Sequence, residues 1–480
     1  MAVAAAVRPF RTSRRRWILA GIALVGIAAA LLAGLAIGSG LATLAIAVAL
    51  APFALLVLNY PFAAIVVWAL VLPFFTQASD ATPSTWILHR AMIPGLLLLV
   101  TIYHFLGIRR SAFRLHVYDL AVAAFIIVAV VNVVLLSPNP ERVLVALFDK
   151  AIVPIAIFWY VRVIGVSGAD LKRLVIVGAF VIVSQTAIGM LSWIAPSLLP
   201  DAWLARAGER TAGTFGGPAP FTITLTFFAL LAIYFAGRAS SRETRAILLA
   251  VVATALTGVF FSLSRGSWLG TGVATAGLLL LYPRIVATVA IGGLLLFGLL
   301  AVGPLQEQVA LAAVRLDTES TIDDRLVTNE ASFRMIGDRP LQGFGFQNFE
   351  RFDEAYKQRV GDIPLKIGGS SHNTYLNLAV EMGVPAVGLY FAPVAALALA
   401  TMRLRKRLPD GGVISGPLLL VLWLALADQF VVSNFLEMLH AYPWGTAVWW
   451  LTLGLIAAII DAVPTRARPV WKEASPGLPS

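Results

Sequence analysis

Residues 246–282 read AILLAVVATALTGVFFSLSRGSWLGTGVATAGLLLLY, two apolar runs separated by a short polar hairpin that contains Arg265. Each run has about the length, roughly 20 residues, that a helix needs to cross the hydrocarbon core of a bilayer. Because only a tight hairpin separates them, the two runs predict a pair of neighbouring antiparallel membrane-spanning helices.

The same apolar pattern recurs along the chain of 480 residues. Hydrophobic residues make up 59% of the sequence and charged residues only 13%, with a mean hydropathy of +0.86, whereas soluble domains carry about 25% charged residues. We predict spans near 17–37, 41–58, 60–76, 87–107, 118–136, 143–164, 173–195, 218–237, 246–263, 266–282, 284–302, 374–402, 414–435 and 441–461. The expected fold class is all-α, a polytopic membrane protein with about 12–14 transmembrane helices, which excludes a soluble enzyme with one anchor.

The basic excess, 36 Lys and Arg against 25 Asp and Glu, reports topology. If both termini are cytoplasmic, 22 of the 36 basic residues lie in cytoplasmic segments, as the positive-inside rule requires. Another eight lie in the long 304–373 loop, and loops of that length are exempt from the rule. We therefore expect cytoplasmic termini and no nucleic-acid partner. The absence of cysteine excludes disulfides, thiolate metal sites and cysteine nucleophiles.

Four regions follow from this pattern: an N-terminal transmembrane scaffold (1–195), spans with outer arginine motifs (196–303), a large outer loop (304–373) and C-terminal spans with a cytoplasmic tail (374–480). The outer loop contains 11 of the 25 acidic residues. We predict short helices at 305–316 and 323–336, the second ended by a Gly/Pro turn at 337–346. Such helices would cap a cavity at the membrane surface.

Three polar patches lie on the predicted outer side. Arg210 precedes a glycine-rich turn whose amides can approach an anion. Arg265 sits at or near membrane depth, so it needs an anionic ligand or a protein partner such as Glu209 or Asp428. His372 follows two serines and precedes an apolar run.

We expect Ser370 or Ser371 to cap the helix after the outer loop. His372 would then occupy the first turn, where the helix dipole favours the neutral imidazole that accepts a proton. A purely structural role in capping or packing is the alternative for His372. Asp428, Glu437 and His440 flank the outer end of a later span and are expected to complete the cavity wall.

Other polar residues give weaker signals. Asp149 and Lys150 lie inside a predicted span and suggest either a proton relay or a structural buried pair, each with a partner on another helix. The five histidines are scattered, and no His/Asp/Glu set has ligand spacing. The sequence therefore predicts no metal site and no cofactor.

Four motifs recur together in the outer region: Arg210-Thr211-Ala212-Gly213-Thr214-Phe215, Ser264-Arg265-Gly266, Arg339-Pro340-Leu341-Gln342-Gly343-Phe344-Gly345, and Ser371-His372-Asn373-Thr374-Tyr375 running on to Glu381-Met382-Gly383. In this order and spacing they resemble the O-antigen ligase family, which includes lipid-linked glycan ligases, polymerases and protein O-oligosaccharyltransferases. The chain departs from the family in two ways. It has fourteen predicted spans where about twelve are usual, and Gly217-Pro218-Ala219 replaces the frequent Asn-Pro-Asn.

The resemblance implies a metal-independent, GT-C-like glycosyltransferase in the bacterial cytoplasmic membrane. Its donor would be an undecaprenyl-pyrophosphate-linked glycan, and its acceptor a glycan, lipid or protein at the outer face. The resemblance assigns pyrophosphate binding to Arg210 and Arg265 and acceptor activation to His372. The supporting residues it suggests are Glu209, Arg339, Asn373 and Glu381.

The same residues suit a ligase and a polymerase, and the sequence does not separate the two. A transporter or flippase of lipid-linked sugars is the alternative from another class. It would be expected to show internal symmetry and charged or broken helices along a path, and the sequence shows little of either.

Overall fold

The computed structural model describes residues 57, 59–74, 83–107, 113–204, 210–302, 306–317, 320–358, 371–408, 412–441 and 443–463. Regular secondary structure in these ranges is helical throughout, which confirms the all-α polytopic fold class. Eight of the described helices are long and apolar enough to cross a membrane, and three shorter apolar helices accompany them. The predicted spans 17–37 and 41–58 fall almost entirely outside the described ranges.

The N-terminal helices are α1 (Phe62–Val71), α2 (Pro83–Phe105), α3 (Val117–Leu136), α4 (Pro140–Ile164) and α5 (Gly168–Ile194). α4 contains a π-helical segment, Phe148–Ile152. α5 begins at a capping box in which Ser167 and Asp170 each accept the other's backbone N–H, at 3.2 and 3.1 Å. These bonds satisfy amide groups that the first helical turn leaves open.

The central helices are α6 (Pro218–Arg238), α7 (Arg242–Phe261), α8 (Arg265–Leu278) and α9 (Pro283–Val302). α6 is apolar on all sides and buried along its whole spanning window, as expected for a helix surrounded by others. Pro218 at its first turn costs no helical hydrogen bond, because that N–H would lack a partner in any case.

The outer loop contributes α10 (Gln306–Asp317), α11 (Ser320–Asp338) and α12 (Phe349–Tyr356). The helices predicted from the sequence correspond to α10 and α11, whereas α12 was not predicted. The packed face of α11 is formed by Ala331, Ser332 and Met335, which are fully buried. Leu326 and Phe333 are 48% and 59% exposed, so these two large apolar residues lie off the packed face of α11.

The C-terminal helices are α13 (Thr374–Met382), α14 (Val384–Leu404), α15 (Gly416–Ser433), α16 (Met438–Ala441) and α17 (Pro443–Asp461). The single span predicted at 374–402 is wrong, because the chain breaks at Gly383, where φ is +84°. A Cβ at Gly383 would lie 2.1 Å from Leu341 O. Val384 N donates to Pro340 O at 2.8 Å. The outer loop therefore docks where the helix is interrupted.

α8 and α15 pack closely because α8 presents glycines to its neighbour. A Cβ on Gly270 would lie 2.8 Å from Asp428 O, and one on Gly277 would meet the Leu424 side chain at 2.2 Å. Small residues at helical spacing let two membrane helices approach at backbone distance. This contact fixes the position of the first turn of α8, which carries Arg265.

A buried ion cluster joins α3, α4 and α17 at one end of the bundle. Arg162 is 1% exposed and donates to Asp461 at 3.0 Å and to Asp119. His116 Nε2 lies 2.9 Å from the same Asp461. A buried cation requires such partners, since an unpaired charge in a low-dielectric interior is costly. Arg162 thus ties together the start of α3 and the ends of α4 and α17, three helix ends that the predicted topology places on the cytoplasmic side.

The predicted orientation can be tested with single cysteines, since the chain has none of its own. Glu354→Cys on α12 and Ser240→Cys between α6 and α7 are matched positions, because both residues are exposed. In spheroplasts, a membrane-impermeant maleimide should label the first variant, and the second only after lysis, because the outer loop and the α6–α7 connection face opposite sides. The reverse pattern would contradict the topology.

Candidate functional site

The segments that carry Arg265 and His372 meet at one turn, residues 434–437, which follows α15 and is called the outer turn below. Leu436 O accepts hydrogen bonds from Thr374 N at 3.1 Å and Thr374 Oγ1 at 2.6 Å. A Cβ on Gly266 would meet Phe435 Cβ at 2.7 Å. The outer turn therefore holds the first turn of α8 beside the first turn of α13.

Arg265 is the first residue of α8, directly after its N-cap Ser264, and its side chain is half-buried. Asp428, which the sequence analysis considered as a partner for Arg265, lies beside a residue that is more than one helical turn further along α8. Its Oδ1 is 3.5 Å from Thr271 Oγ1. The other considered partner, Glu209, lies outside the described residues. The helix start thus places Arg265 at the outer end of the α8–α15 pair.

The loop that carries Arg210 is held against the end of α7. Thr211 N donates to Phe261 O at 3.2 Å. Thr214 donates from N and from Oγ1 to Gln185 Oε1 at 2.9 and 3.0 Å. Arg210, half-buried, therefore comes from a segment that adjoins the α7–α8 hairpin, so the two motif arginines are contributed by neighbouring parts of the chain.

His372 does not occupy the helical turn expected for it. The N-cap of α13 is Asn373, whose side chain accepts from the amides of the second and third helix residues at 3.0 and 3.1 Å. The expectation that Ser370 or Ser371 caps the helix is wrong, because the Asn373 amide oxygen takes that role. His372 precedes the cap with φ +49° and an exposed side chain. The helix dipole therefore does not favour the neutral imidazole of His372 in the way that the sequence analysis expected.

A chain of polar side chains fixes the backbone around His372. Ser371 Oγ lies 2.5 Å from Asn377 Oδ1 and 3.0 Å from Asn373 O. Asn377 Nδ2 donates to Glu437 Oε1 at 2.5 Å. Since Ser371 and Asn377 are buried, these bonds are made away from water. The turn before α13 is thereby linked to the outer turn by side chains as well as by backbone.

A narrow crevice lies below the start of α13, lined in part by Glu381 and Glu437. Lys150, from the π-helical segment of α4, interacts electrostatically with both carboxylates. Asp149, next to it, accepts two hydrogen bonds from Arg90, each at 2.7 Å. Each residue of the Asp149–Lys150 pair thus has partners on other helices, and π-helical segments are frequent at functional sites.

The Gly343-Phe344-Gly345 motif docks the outer loop on α13. Phe344 N donates to Val380 O at 2.9 Å, and Gly345 N donates to Glu381 O at 2.8 Å. Gly343 has φ +64°, and a Cβ there would lie 2.5 Å from Glu381 O. Both the left-handed backbone and the close approach require glycine at this position.

Asn132, which sequence reasoning missed, completes this docking from α3. Its Nδ2 donates to Gln342 O at 2.8 Å and to Glu381 O at 3.1 Å, and its Oδ1 accepts from Phe346 N at 2.9 Å. A buried asparagine in an otherwise apolar helix was the available signal. Polar side chains inside membrane helices are retained when they find partners.

The suggested supporting residues have structural contacts. The Arg339 guanidinium lies 4.7 Å from the centroid of the Phe344 ring on an exposed part of the loop. Glu381 is 1% exposed, and its Oε1 accepts from Phe349 N, the first residue of α12, at 3.2 Å. Asn373 caps α13. These residues hold the loop and helix around the site.

Arg325 on α11 also reaches the outer turn, and sequence reasoning missed it. Its Nη2 donates to Phe435 O at 3.3 Å. It shares a helix face with the buried residues Thr328, Ser332 and Met335, at spacings of three and four. That spacing was the signal, because an arginine in line with the packed face points toward the protein.

The described site is rich in guanidinium groups, which bind phosphate oxygens through paired N–H donors. Within the described ranges, no group of three or more His, Asp and Glu side chains is placed to hold a metal ion. Arg265 and Arg325 lie on segments that contact the outer turn, and Arg210 lies on a segment bonded to the end of α7.

Residues 248–391 match the family model described as O-antigen ligase. The match covers α8, the outer loop and α13 with the residues that precede it, and supports the family resemblance that the motifs in this part of the chain indicated. It supports glycosyl transfer of the ligase or polymerase type. No curated protein matches the chain by sequence.

Asn377→Ala should lower kcat about tenfold while donor KM changes little, since each lost hydrogen bond contributes about 0.5–1.5 kcal/mol to holding the His372 turn. Glu437→Gln keeps an acceptor oxygen for Asn377 and should retain more activity. Steady-state kinetics with each variant will measure this order. A larger loss for Glu437→Gln would show that the carboxylate charge matters more than the hydrogen bond.

Proposed function

We propose that this protein transfers a glycan from undecaprenyl pyrophosphate to an acceptor hydroxyl at the outer face of the cytoplasmic membrane. The transfer requires no metal ion and inverts the anomeric centre. Arg210 and Arg265 bind the diphosphate of the donor, and His372 receives the proton of the acceptor hydroxyl.

The observation that carries this proposal is the arrangement around the outer turn. Arg265 begins a helix packed on one part of it, and the segment of His372 is hydrogen-bonded to another. This arrangement supports the proposal, because a transfer reaction requires a cation for the leaving group near a base for the nucleophile.

The reaction follows from these roles. The acceptor oxygen forms a bond to the anomeric carbon as the bond from that carbon to the phosphate oxygen breaks. The acceptor proton passes to the His372 imidazole, and the electron pair leaves with undecaprenyl pyrophosphate. Guanidinium groups at the membrane boundary stabilise the charge that develops on the diphosphate, because a low-dielectric site strengthens such contacts.

An apolar crevice supports a lipid-linked donor. It lies between α6, α7, α8 and α9 and is lined by residues such as Leu230, Ile233 and Val259. Thr271 also lines it. Thr271 is six residues after Arg265, about 9 Å along α8. A prenyl chain seated there would leave its diphosphate near the outer end of that helix.

The role of His372 is tested by His372→Gly, because glycine adopts the left-handed backbone without strain. Turnover should fall by about 10²-fold while donor binding survives. Added imidazole should restore part of the activity, since the side chain it replaces is exposed. Single-turnover kinetics with and without imidazole will measure both effects.

Gln347→Gly is the matched control, since Gln347 is also exposed and has φ +61°. It should behave as the unaltered protein does. Unchanged turnover of His372→Gly would show that His372 is not the general base. A loss that imidazole does not relieve in a folded, donor-binding protein would assign His372 to holding the turn.

Ligase, polymerase and transporter are separated by the lipids that accumulate when the gene is deleted. Mass analysis should find full-length glycan on undecaprenyl pyrophosphate if the protein is a ligase. Single repeat units on the carrier would instead identify a polymerase, which uses the same chemistry with another lipid-linked repeat as acceptor. Accumulated substrate that remains on the cytoplasmic face would identify a flippase and contradict transfer.

A further inference from the structure

Two arginine-bearing segments from different parts of the chain meet at Phe435. Arg265 starts α8, and its neighbour Gly266 packs against the Phe435 side chain. Arg325, from the outer loop, donates to Phe435 O at 3.3 Å, and its guanidinium carbon lies 5.4 Å from the centroid of the Phe435 ring. One aromatic residue of the outer turn is thus contacted by both arginine-bearing segments.

The two cations are close enough to influence each other. Burial lowers the pKa of the Arg325 guanidinium from its ordinary value, and the positive charge of Arg265 lowers it further. The described contacts of Arg325 are a neutral carbonyl and a ring, neither of which carries a negative charge. An anion placed between the arginines would relieve the repulsion, because guanidinium groups bind oxyanions through paired N–H donors.

We propose that Arg325 is a further binding residue for the donor diphosphate, which Arg265 and Arg325 hold together beside Phe435. This inference rests on the proposed function and extends it from the membrane helices to the outer loop. The bound diphosphate then joins α11 to α8, so that the donor itself fastens the outer loop over the site. Donor affinity and the position of the loop are coupled through one residue.

Arg325→Gln and Arg325→Lys test the inference in the detergent-purified protein. Removing a charged hydrogen-bond donor costs about 1.5–3 kcal/mol, so Arg325→Gln should raise donor KM roughly 10- to 100-fold, with a smaller effect on kcat. Arg325→Lys keeps the positive charge but lacks the planar guanidinium, so its donor KM should lie between those of the unaltered protein and Arg325→Gln. Arg351→Gln, an exposed position in the same loop, removes the same charge and should leave donor KM unchanged.

Thermal unfolding with inorganic pyrophosphate gives a readout that does not depend on transfer. Pyrophosphate should raise the Tm of the unaltered protein and of Arg351→Gln, and should raise that of Arg325→Gln much less. A Tm rise in Arg325→Gln equal to that of the unaltered protein would overturn the inference even if transfer is confirmed. Conversely, the protein could show a rise in Tm with pyrophosphate that depends on Arg325 but have no transfer activity. That result would support the anion site and contradict the proposed reaction.

Two further outcomes are decisive. A rise in acceptor KM with unchanged donor KM would assign the arginine pair to an acidic acceptor and overturn the inference. If Arg325→Gln does not fold, Arg325→Lys alone tests the inference. Loss of the planar guanidinium should weaken both donor binding and the Tm response to pyrophosphate. A donor KM and a Tm response like those of the unaltered protein would therefore overturn the inference.

Discussion

The contacts of the outer turn determine how the site is assembled. Backbone hydrogen bonds to Leu436 O hold the start of α13, and close packing of Gly266 on Phe435 holds the start of α8. The Asn377–Glu437 hydrogen bond adds a side-chain link. Because three segments far apart in sequence meet at one turn, none of them can shift without disturbing the others.

The second constraint is that every backbone group carried into an apolar environment needs a partner. The outer loop meets it by pairing its glycine turn with the last carbonyls of α13 and with Asn132. α13 ends at Gly383, and that interruption provides the surface on which the loop docks. The break between α13 and α14 and the glycine turn of the outer loop therefore pack against each other, and this contact positions the loop next to the site.

Much of the fold could be predicted from sequence because long apolar runs permit few structures in a bilayer. The outer-loop helices α10 and α11 also followed from local spacing, whereas α12 did not. The break at Gly383 did not, since its neighbours Met382 and Val384 are both apolar and the docking of Leu341 depends on tertiary structure. His372 was predicted inside the helix, whereas it precedes the N-cap Asn373, because both serine and asparagine suit an N-cap. The position of Arg325 depends on tertiary packing.

Gly383 has a consequence for how the protein is made. α14 has 21 residues, enough to span a bilayer, whereas α13 has nine and is too short. Inserting α14 therefore leaves α13 at the outer surface, where its partners are the outer loop, synthesised earlier, and the outer turn, synthesised later. The site is completed only after α15 has entered the membrane, so a chain interrupted before that helix would have its arginine and histidine segments without the turn that aligns them.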